Sequence, residues 1–215
     1  GGPLFPDKLF REGSPSDVLG WLTEWLRKTP NGWNAPRGWM ERFRRLMQDA
    51  DIVENLGNES LMHLLFCLIK LKDPELVDAL PKEVVIERIA RMMNQTGDAK
   101  WLQPFRRLFP DEVAGQIAAR LDVPKFVDSI FRHERSFAWI SRYRDFKNPL
   151  HQTNPEVSFQ VQTELFRHPG LPELMAASTF TYAACFFYVP ESLQQEAARF
   201  LERTNPDQLV EMFLN

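Results

Sequence analysis

Arginines interspersed with aromatic side chains are the residues of this sequence best suited to recognition chemistry. They are densest in "FRHERSFAWISRYRDFK", residues 131–147. Binders of single-stranded nucleic acid stack bases on aromatic rings beside such cations, and Trp, Tyr and Arg also dominate protein-binding hot spots. Of these two interpretations we favour a protein partner, although a helix with a solvated basic face would leave the same pattern. The candidate binding residues in this segment are Arg135, Trp139, Arg142, Tyr143 and Arg144.

A Trp-apolar-x-x-aromatic-Arg pattern occurs three times along the chain. "WMERFRRLM" at 39–47 is echoed by "WLQPFRRLF" at 101–109 and, more loosely, by "WISRYRDF" at 139–146. A repeated catalytic device, a basic binding stripe or a repeated packing unit would each leave such a trace. Asp145 replaces the second arginine in the third copy, so the arginine pair is not kept strictly.

Helical spacing divides each copy into an inward and an outward half. In the first copy, Trp39 and Phe43 fall on one core-facing stripe, and the arginines point away from it. In the second copy, Pro104 predicts that the helix begins after Trp101 or is kinked. The inward half explains the repetition as a packing unit, and the outward half supplies further candidates for partner binding. These candidates are Arg44, Arg45, Arg106 and Arg107.

No motif in the sequence indicates catalysis or metal binding. The four histidines are dispersed, without His-x-x-x-His, His-Glu-x-x-His or Cys-x-x-Cys spacing. There is also no Gly-x-Ser-x-Gly elbow and no glycine-rich phosphate loop. We therefore expect a protein that is not an enzyme, with no catalytic, cofactor-binding or metal-ligating residues and no small-molecule substrate. An enzyme whose site is built from dispersed residues is the alternative.

Composition points to an ordinary folded chain. Apolar residues make up 44% of the 215 residues, charged residues 26%, and the net charge is −3, which gives no global attraction to nucleic acid. Cys67 and Cys185 lie in apolar runs, as core cysteines do. The longest charge-free run, between Leu174 and Pro190, is shorter than a membrane helix requires, so we expect a buried helix and no membrane insertion. A cytoplasmic location is expected, with a peripheral place on a membrane-associated complex as the alternative.

Helical signals dominate the secondary structure, and the predicted fold class is all-α. Ser16 is a candidate N-cap for the first amphipathic helix, and residues 58–71 are apolar on almost all sides, as in a central helix. No segment shows the sustained alternation of a strand. Residues 1–13 are expected to be extended.

Two proline-initiated helical units recur in the same order. "PDEVAGQIAARLDVPKFVDSIF" at 110–131 is matched by "PESLQQEAARFLERTNPDQLVEMF" at 190–213. Short helices reused in order are typical of helical-repeat arrays, here of about nine to eleven helices. The expected organisation is one elongated domain over 1–215, with a subdivision into 14–100 and 101–215 as the alternative.

These two repeated segments resemble the short helical repeats of the flagellar rotor protein FliG and the N-terminal domain of the magnesium transporter MgtE. The resemblance implies a right-handed superhelix that acts by docking onto neighbouring proteins, and it assigns no functional residue. Together with the absence of catalytic motifs, it predicts a scaffold or adaptor domain that binds proteins of a larger, bacterial-type assembly. A helical-repeat module that binds RNA or single-stranded DNA through residues 131–147 is the alternative.

Overall fold

The computed structural model describes residues 7–29, 38–133, 148–171, 191–207 and 210. These residues form α-helices and short 3₁₀ turns and contain no strand, which confirms the all-α prediction. The helices are α1 (Asp7–Glu12), α2 (Pro15–Lys28), α3 (Trp39–Met47), α4 (Ala50–Glu54), α5 (Asn58–Leu71), α6 (Pro74–Ala79), α7 (Lys82–Thr96), α8 (Leu102–Arg106), α9 (Asp111–Ala119), α10 (Val123–His133), α11 (Pro149–Thr153), α12 (Pro155–Arg167) and α13 (Gln194–Arg203).

The chain divides into two compact units. The first unit contains residues 1–89 and 101–110, and the second contains residues 90–100 and 111–215. Helix α7 supplies residues to both units. The boundary is therefore discontinuous in sequence, which a composition shift or a linker could not have indicated.

The core of the first unit lies between α2 and α5. Leu19 and Leu22 of α2 and Leu64 and Leu65 of α5 are each at most 1% exposed. Helix α5 spans the residues predicted for a central helix and buries Leu61, Met62, Leu64, Leu65, Cys67 and Leu68, whereas Phe66 is an exposed large apolar side chain at 44%. Burial of this apolar surface is the main stabilising contribution to the unit.

The N-terminal segment is helical from residue 7, so the expectation of an extended segment is wrong there. Helix α1 is held by an aromatic cluster: the ring of Phe10 lies 5.4 Å from that of Trp21 and 5.7 Å from that of Trp39. The guanidinium of Arg42 also lies over the Phe10 ring at 4.8 Å. These tertiary contacts stabilise a helix of six residues, which is too short to be stable alone.

The predicted cap of α2 is also wrong. Ser14, not Ser16, is the N-cap, and its hydroxyl accepts a hydrogen bond from the backbone N–H of Asp17 at 3.1 Å. Pro15 takes the first helical position because its fixed φ suits a helix and its missing N–H needs no partner there. Ser16 instead donates to the carbonyl of Ile52 at 3.0 Å.

The inward half of the Trp-aromatic-Arg pattern is in the core where it is described. Phe43 and Phe105 are both 0% exposed, whereas Trp39 and Trp101 are partly exposed. The second copy begins with a 3₁₀ turn, and its helix starts at Leu102. This confirms the prediction from Pro104 that the helix begins late. The third copy lies outside the described residues.

In the second unit, α10 and α13 both pack against α12, and α11 packs against α9 and α12. One ion pair and a hydrogen bond to a helix-end carbonyl join α12 to α13. Arg167 pairs with Glu196 through two hydrogen bonds of 2.5 and 3.1 Å. The hydrogen bond from Arg167 lowers the pKa of Glu196. Arg203 donates to the carbonyl of Phe166 at 2.8 Å near the end of α12.

The two repeated segments do not bury equivalent positions. Ala114 and Ala118 of α9 are 0% exposed, whereas Gln194 and Ala198, 80 residues later, are exposed. The two helices thus begin with similar sequences but bury different positions. A right-handed superhelix stays a prediction.

None of the helices in the described ranges has the length and apolarity needed to cross a membrane. The run from Leu174 to Pro190, predicted as a buried helix, lies outside those ranges.

Cys67 is a buried thiol on α5. It is 1% exposed and donates to the carbonyl of Thr23 at 3.1 Å, and burial raises its pKa to about 12. Because the thiolate is the reactive form, we expect Cys67 in a Cys185→Ser variant to react with a disulfide reagent near pH 8 at least about a hundredfold more slowly than an exposed cysteine. If the folded Cys185→Ser variant reacted as fast as the denatured one, the burial of Cys67 would be wrong.

Candidate functional site

A groove in the first unit combines apolar side chains with exposed cations. We call it the α6 groove; it has a volume of about 540 Å³ and lies where α5 ends, α6 follows and the chain leaves α8. Its lining residues are Leu68, Ile69, Lys72, Asp73, Pro74, Val77, Asp78, Arg107 and Leu108.

The local sequence forms the sharp turn between α5 and α6. Lys72 ends α5 in the left-handed conformation, with φ 53° and ψ 35°. Asp73 then caps α6, since its carboxylate accepts from the backbone N–H groups of Glu75 and Leu76 at 3.0 and 3.4 Å. Pro74 takes the first helical position. The turn places the two helix ends on one wall of the groove.

The groove has an apolar floor and is open to solvent. Leu68 is buried at its base, while Ile69, Val77 and Leu108 are each partly exposed. A site for a small molecule usually encloses most of its ligand. Here every lining residue except Leu68 remains accessible, which suits the side chains of a larger partner better.

Both carboxylates that line the groove have partners within the protein. Asp73 caps α6 and its second oxygen lies 3.6 Å from the guanidinium of Arg44. Asp78 lies 3.5 Å from the ammonium of Lys82, which also lies 5.3 Å from the centre of the Phe109 ring. The acidic groups therefore help to position α6.

The two cations that line the groove have no such partners. Lys72 and Arg107 are exposed, and neither side chain makes a hydrogen bond or ion pair with any described residue. Their charges remain available to a ligand above the apolar floor. A non-glycine residue in the left-handed region is uncommon and destabilising, so Lys72 sits where glycine would be the usual choice.

The four arginines predicted from the first two copies of the pattern differ in their exposure and in their partners. Arg107 lines the α6 groove, and Arg44, 47% exposed, is paired with Asp73 and Glu75 at its edge. Arg45 is exposed and lines another recess, of about 450 Å³, beside α3. Arg106 is half-buried and already has an interaction partner within the protein. Of these four arginines, Arg107 lines the α6 groove, whereas Arg44 and Arg45 line the recess beside α3 together.

The other predicted binding residues, Arg135, Trp139, Arg142, Tyr143 and Arg144, lie outside the described residues. Of the segment 131–147, the structure describes only residues 131–133. Arg132 and His133 are exposed there, and a ring nitrogen of His133 lies 3.1 Å from the carbonyl oxygen of Gln95. The assignment of this segment to partner binding stays a prediction.

The clearest cluster of titratable groups outside the groove surrounds Glu24. Its carboxylate accepts from Arg27 at 2.9 Å, pairs with Lys28 at 2.8 Å and lies 3.1 Å from Nδ1 of His63. The hydrogen bonds from Arg27 and Lys28 lower the pKa of Glu24 to about 2. This is an ion-pair network of partly exposed side chains. His63 is a partly exposed residue whose ring lies beside the Glu24 carboxylate. No group of His, Cys, Asp and Glu among the described residues could hold a metal ion.

Sequence reasoning did not select Lys72, Val77 or Leu108. A partial signal exists in "LKDP" at 71–74, where an aspartate cap followed by proline marks a new helix and makes Lys72 a helix-end residue. Nothing in the sequence indicated that Leu108 lies near α6.

Comparison with known proteins adds no assignment. No family model, no curated protein and no solved structure matches this chain. The resemblance to the repeats of FliG and MgtE therefore stays a prediction.

Proposed function

We propose that this chain is a non-enzymatic adaptor domain that binds a protein partner through the α6 groove. The observation that carries the proposal is the combination of an open apolar floor, formed by Ile69, Val77 and Leu108, with the cations Lys72 and Arg107, which have no partner in the described part of the chain. Protein-binding sites combine apolar contact with a polar rim in this way. We also propose that the helices form a right-handed repeat array and that the partner belongs to a larger, bacterial-type assembly.

Site-specific photo-crosslinking tests whether the α6 groove binds protein. We expect a benzoylphenylalanine at Leu108 to form a defined ultraviolet-dependent adduct in lysate of the source cells. The same probe at Phe159, an exposed residue of the second unit, serves as the control and should not form that adduct. The adduct at Leu108 should disappear in a Val77→Arg variant, because the longer side chain fills the groove.

Three outcomes contradict the proposal. They are the absence of any adduct at Leu108, the same adducts at Leu108 and Phe159, or an adduct that survives Val77→Arg in a chain with native circular dichroism. If the adduct contained RNA or DNA and binding weakened steeply with salt, the nucleic-acid alternative would replace the adaptor, since release of counterions makes phosphate binding strongly salt-dependent.

A further inference from the structure

The charge of the partner can be inferred from the pairing pattern around the α6 groove. The lining carboxylates Asp73 and Asp78 are paired with Arg44 and Lys82, whereas the lining cations Lys72 and Arg107 have no partner among the described residues. A bound carboxylate would gain two cations without displacing an existing ion pair. A bound cation would have to compete with Arg44 or Lys82. Charge complementarity therefore favours an acidic ligand.

The size of the groove limits the apolar part of that ligand. Helix α6 has six residues and is about 9 Å long at 1.5 Å per residue. A wall of this length matches less than two turns of a partner helix. Two apolar side chains at positions i and i+4 of such a helix lie on one face, about 6 Å apart, and can contact Val77 and Leu108 together.

From these two observations, and resting on the proposed function, we propose that the α6 groove binds an acidic amphipathic helix of a partner protein. An i, i+4 pair of leucine-like side chains lies on the apolar floor. Carboxylates on the flanks of that helix bind Lys72 and Arg107. The left-handed conformation of Lys72 is consistent with this role, because the chain has a lysine at a position where glycine would avoid the backbone strain.

Two matched peptides test the inference directly. Both carry the same i, i+4 leucine pairs in an alanine-rich helix; one has glutamate and the other lysine at the flanking positions. By fluorescence polarisation with the full chain, we expect the glutamate peptide to bind at least about tenfold more tightly than the lysine peptide. Lys72→Glu and Arg107→Glu should each weaken the glutamate peptide about fivefold, and the double variant should reverse the preference.

Arg45→Glu is the matched control, because Arg45 is also exposed and unpaired among the described residues but does not line this groove. It should change the affinity less than twofold. An equal loss with Arg45→Glu would overturn the inference, since the peptide would then respond to overall charge. Equal binding of both peptides, stronger binding of the lysine peptide, or no binding of either would also overturn it.

The two proposals can fail separately. If the groove-dependent adduct at Leu108 forms but neither peptide binds, the protein-binding function stands and the acidic helix is wrong. If no adduct forms at Leu108, the proposed function itself fails. Self-association abolished by Arg107→Glu would identify the occupant as a second copy and would likewise overturn the acidic partner.

Discussion

Replacing Gly97 by alanine should destabilise the second unit by about 4 kcal/mol or more. Gly97 has φ +65°, a left-handed conformation that costs alanine about 1–2 kcal/mol. An added Cβ would also lie 2.4 Å from the backbone nitrogen and 2.7 Å from the Cα of Ile130. Because these are backbone atoms of α10, a side chain cannot simply rotate away. Urea titration followed by circular dichroism measures the loss.

The Gly38→Ala variant separates the cost of the left-handed backbone conformation from the cost of the clash made by the added Cβ. Gly38 also has a positive φ, +87°, but no described atom lies within 4 Å of the position of its Cβ. Its replacement should cost only about 1–2 kcal/mol, from the backbone conformation. If the two variants lost the same stability, the close approach of Gly97 to α10 would be wrong.

The close approach at Gly97 explains how the end of α7 is joined to α10. Ser129 donates to the backbone carbonyl of Asn94 at 2.7 Å, and the side chain of Asn94 accepts from the backbone N–H of Asp122 at 3.1 Å. Both hydrogen bonds require the two segments to be in contact. A larger residue at position 97 would therefore weaken them as well.

Replacing Arg88 by methionine should destabilise the first unit by about 3 kcal/mol. Arg88 is 5% exposed, and its guanidinium donates to the carbonyls of Val53 and Glu54 at 2.9 and 2.7 Å and to the side-chain oxygen of Asn58 at 2.9 Å. These bonds satisfy the last carbonyls of α4. Methionine keeps much of the volume but removes the guanidinium donor from the part-buried oxygens of Glu54 and Asn58, whereas the Val53 carbonyl keeps its bond from the backbone N–H of Leu56. Urea titration measures the effect.

Arg88→Lys and Arg91→Met are the comparisons for this prediction. Lysine retains the charge but lacks the planar fork that reaches several acceptors at once, so an intermediate loss is expected. Arg91 is exposed on the same helix, and its replacement should cost less than about 1 kcal/mol. A loss for Arg88→Met no larger than that for Arg91→Met would show that the buried hydrogen bonds contribute little.

Local patterns predicted much of the architecture. The all-α fold, the central helix Asn58–Leu71 and the burial of Phe43 and Phe105 follow from apolar side chains repeating at the helical period. The late start of α8 follows from Pro104. The N-cap at Ser14 was missed because two serines flank Pro15, although the preference of proline for the first helical position would have selected the correct one.

Other features depend on residues that are distant in sequence. Arg44 and Arg45 are adjacent, equally plausible as binding residues and line the same recess, yet Arg44 is paired with Asp73 and Arg45 has no ion pair with a described residue. The burial of Arg88 could not be predicted from the sequence either, because arginine in an amphipathic helix is usually on the surface.

The helical fold and the side chains that could face a core are predictable from the sequence alone, because both depend on the order of residues within one or two helical turns. The pairing of the arginines, the need for glycine at residue 97 and the meeting of an apolar floor with exposed cations become visible in the folded structure. Those properties depend on contacts such as Gly97 with Ile130 and Asp73 with Arg44, which join segments about 30 residues apart.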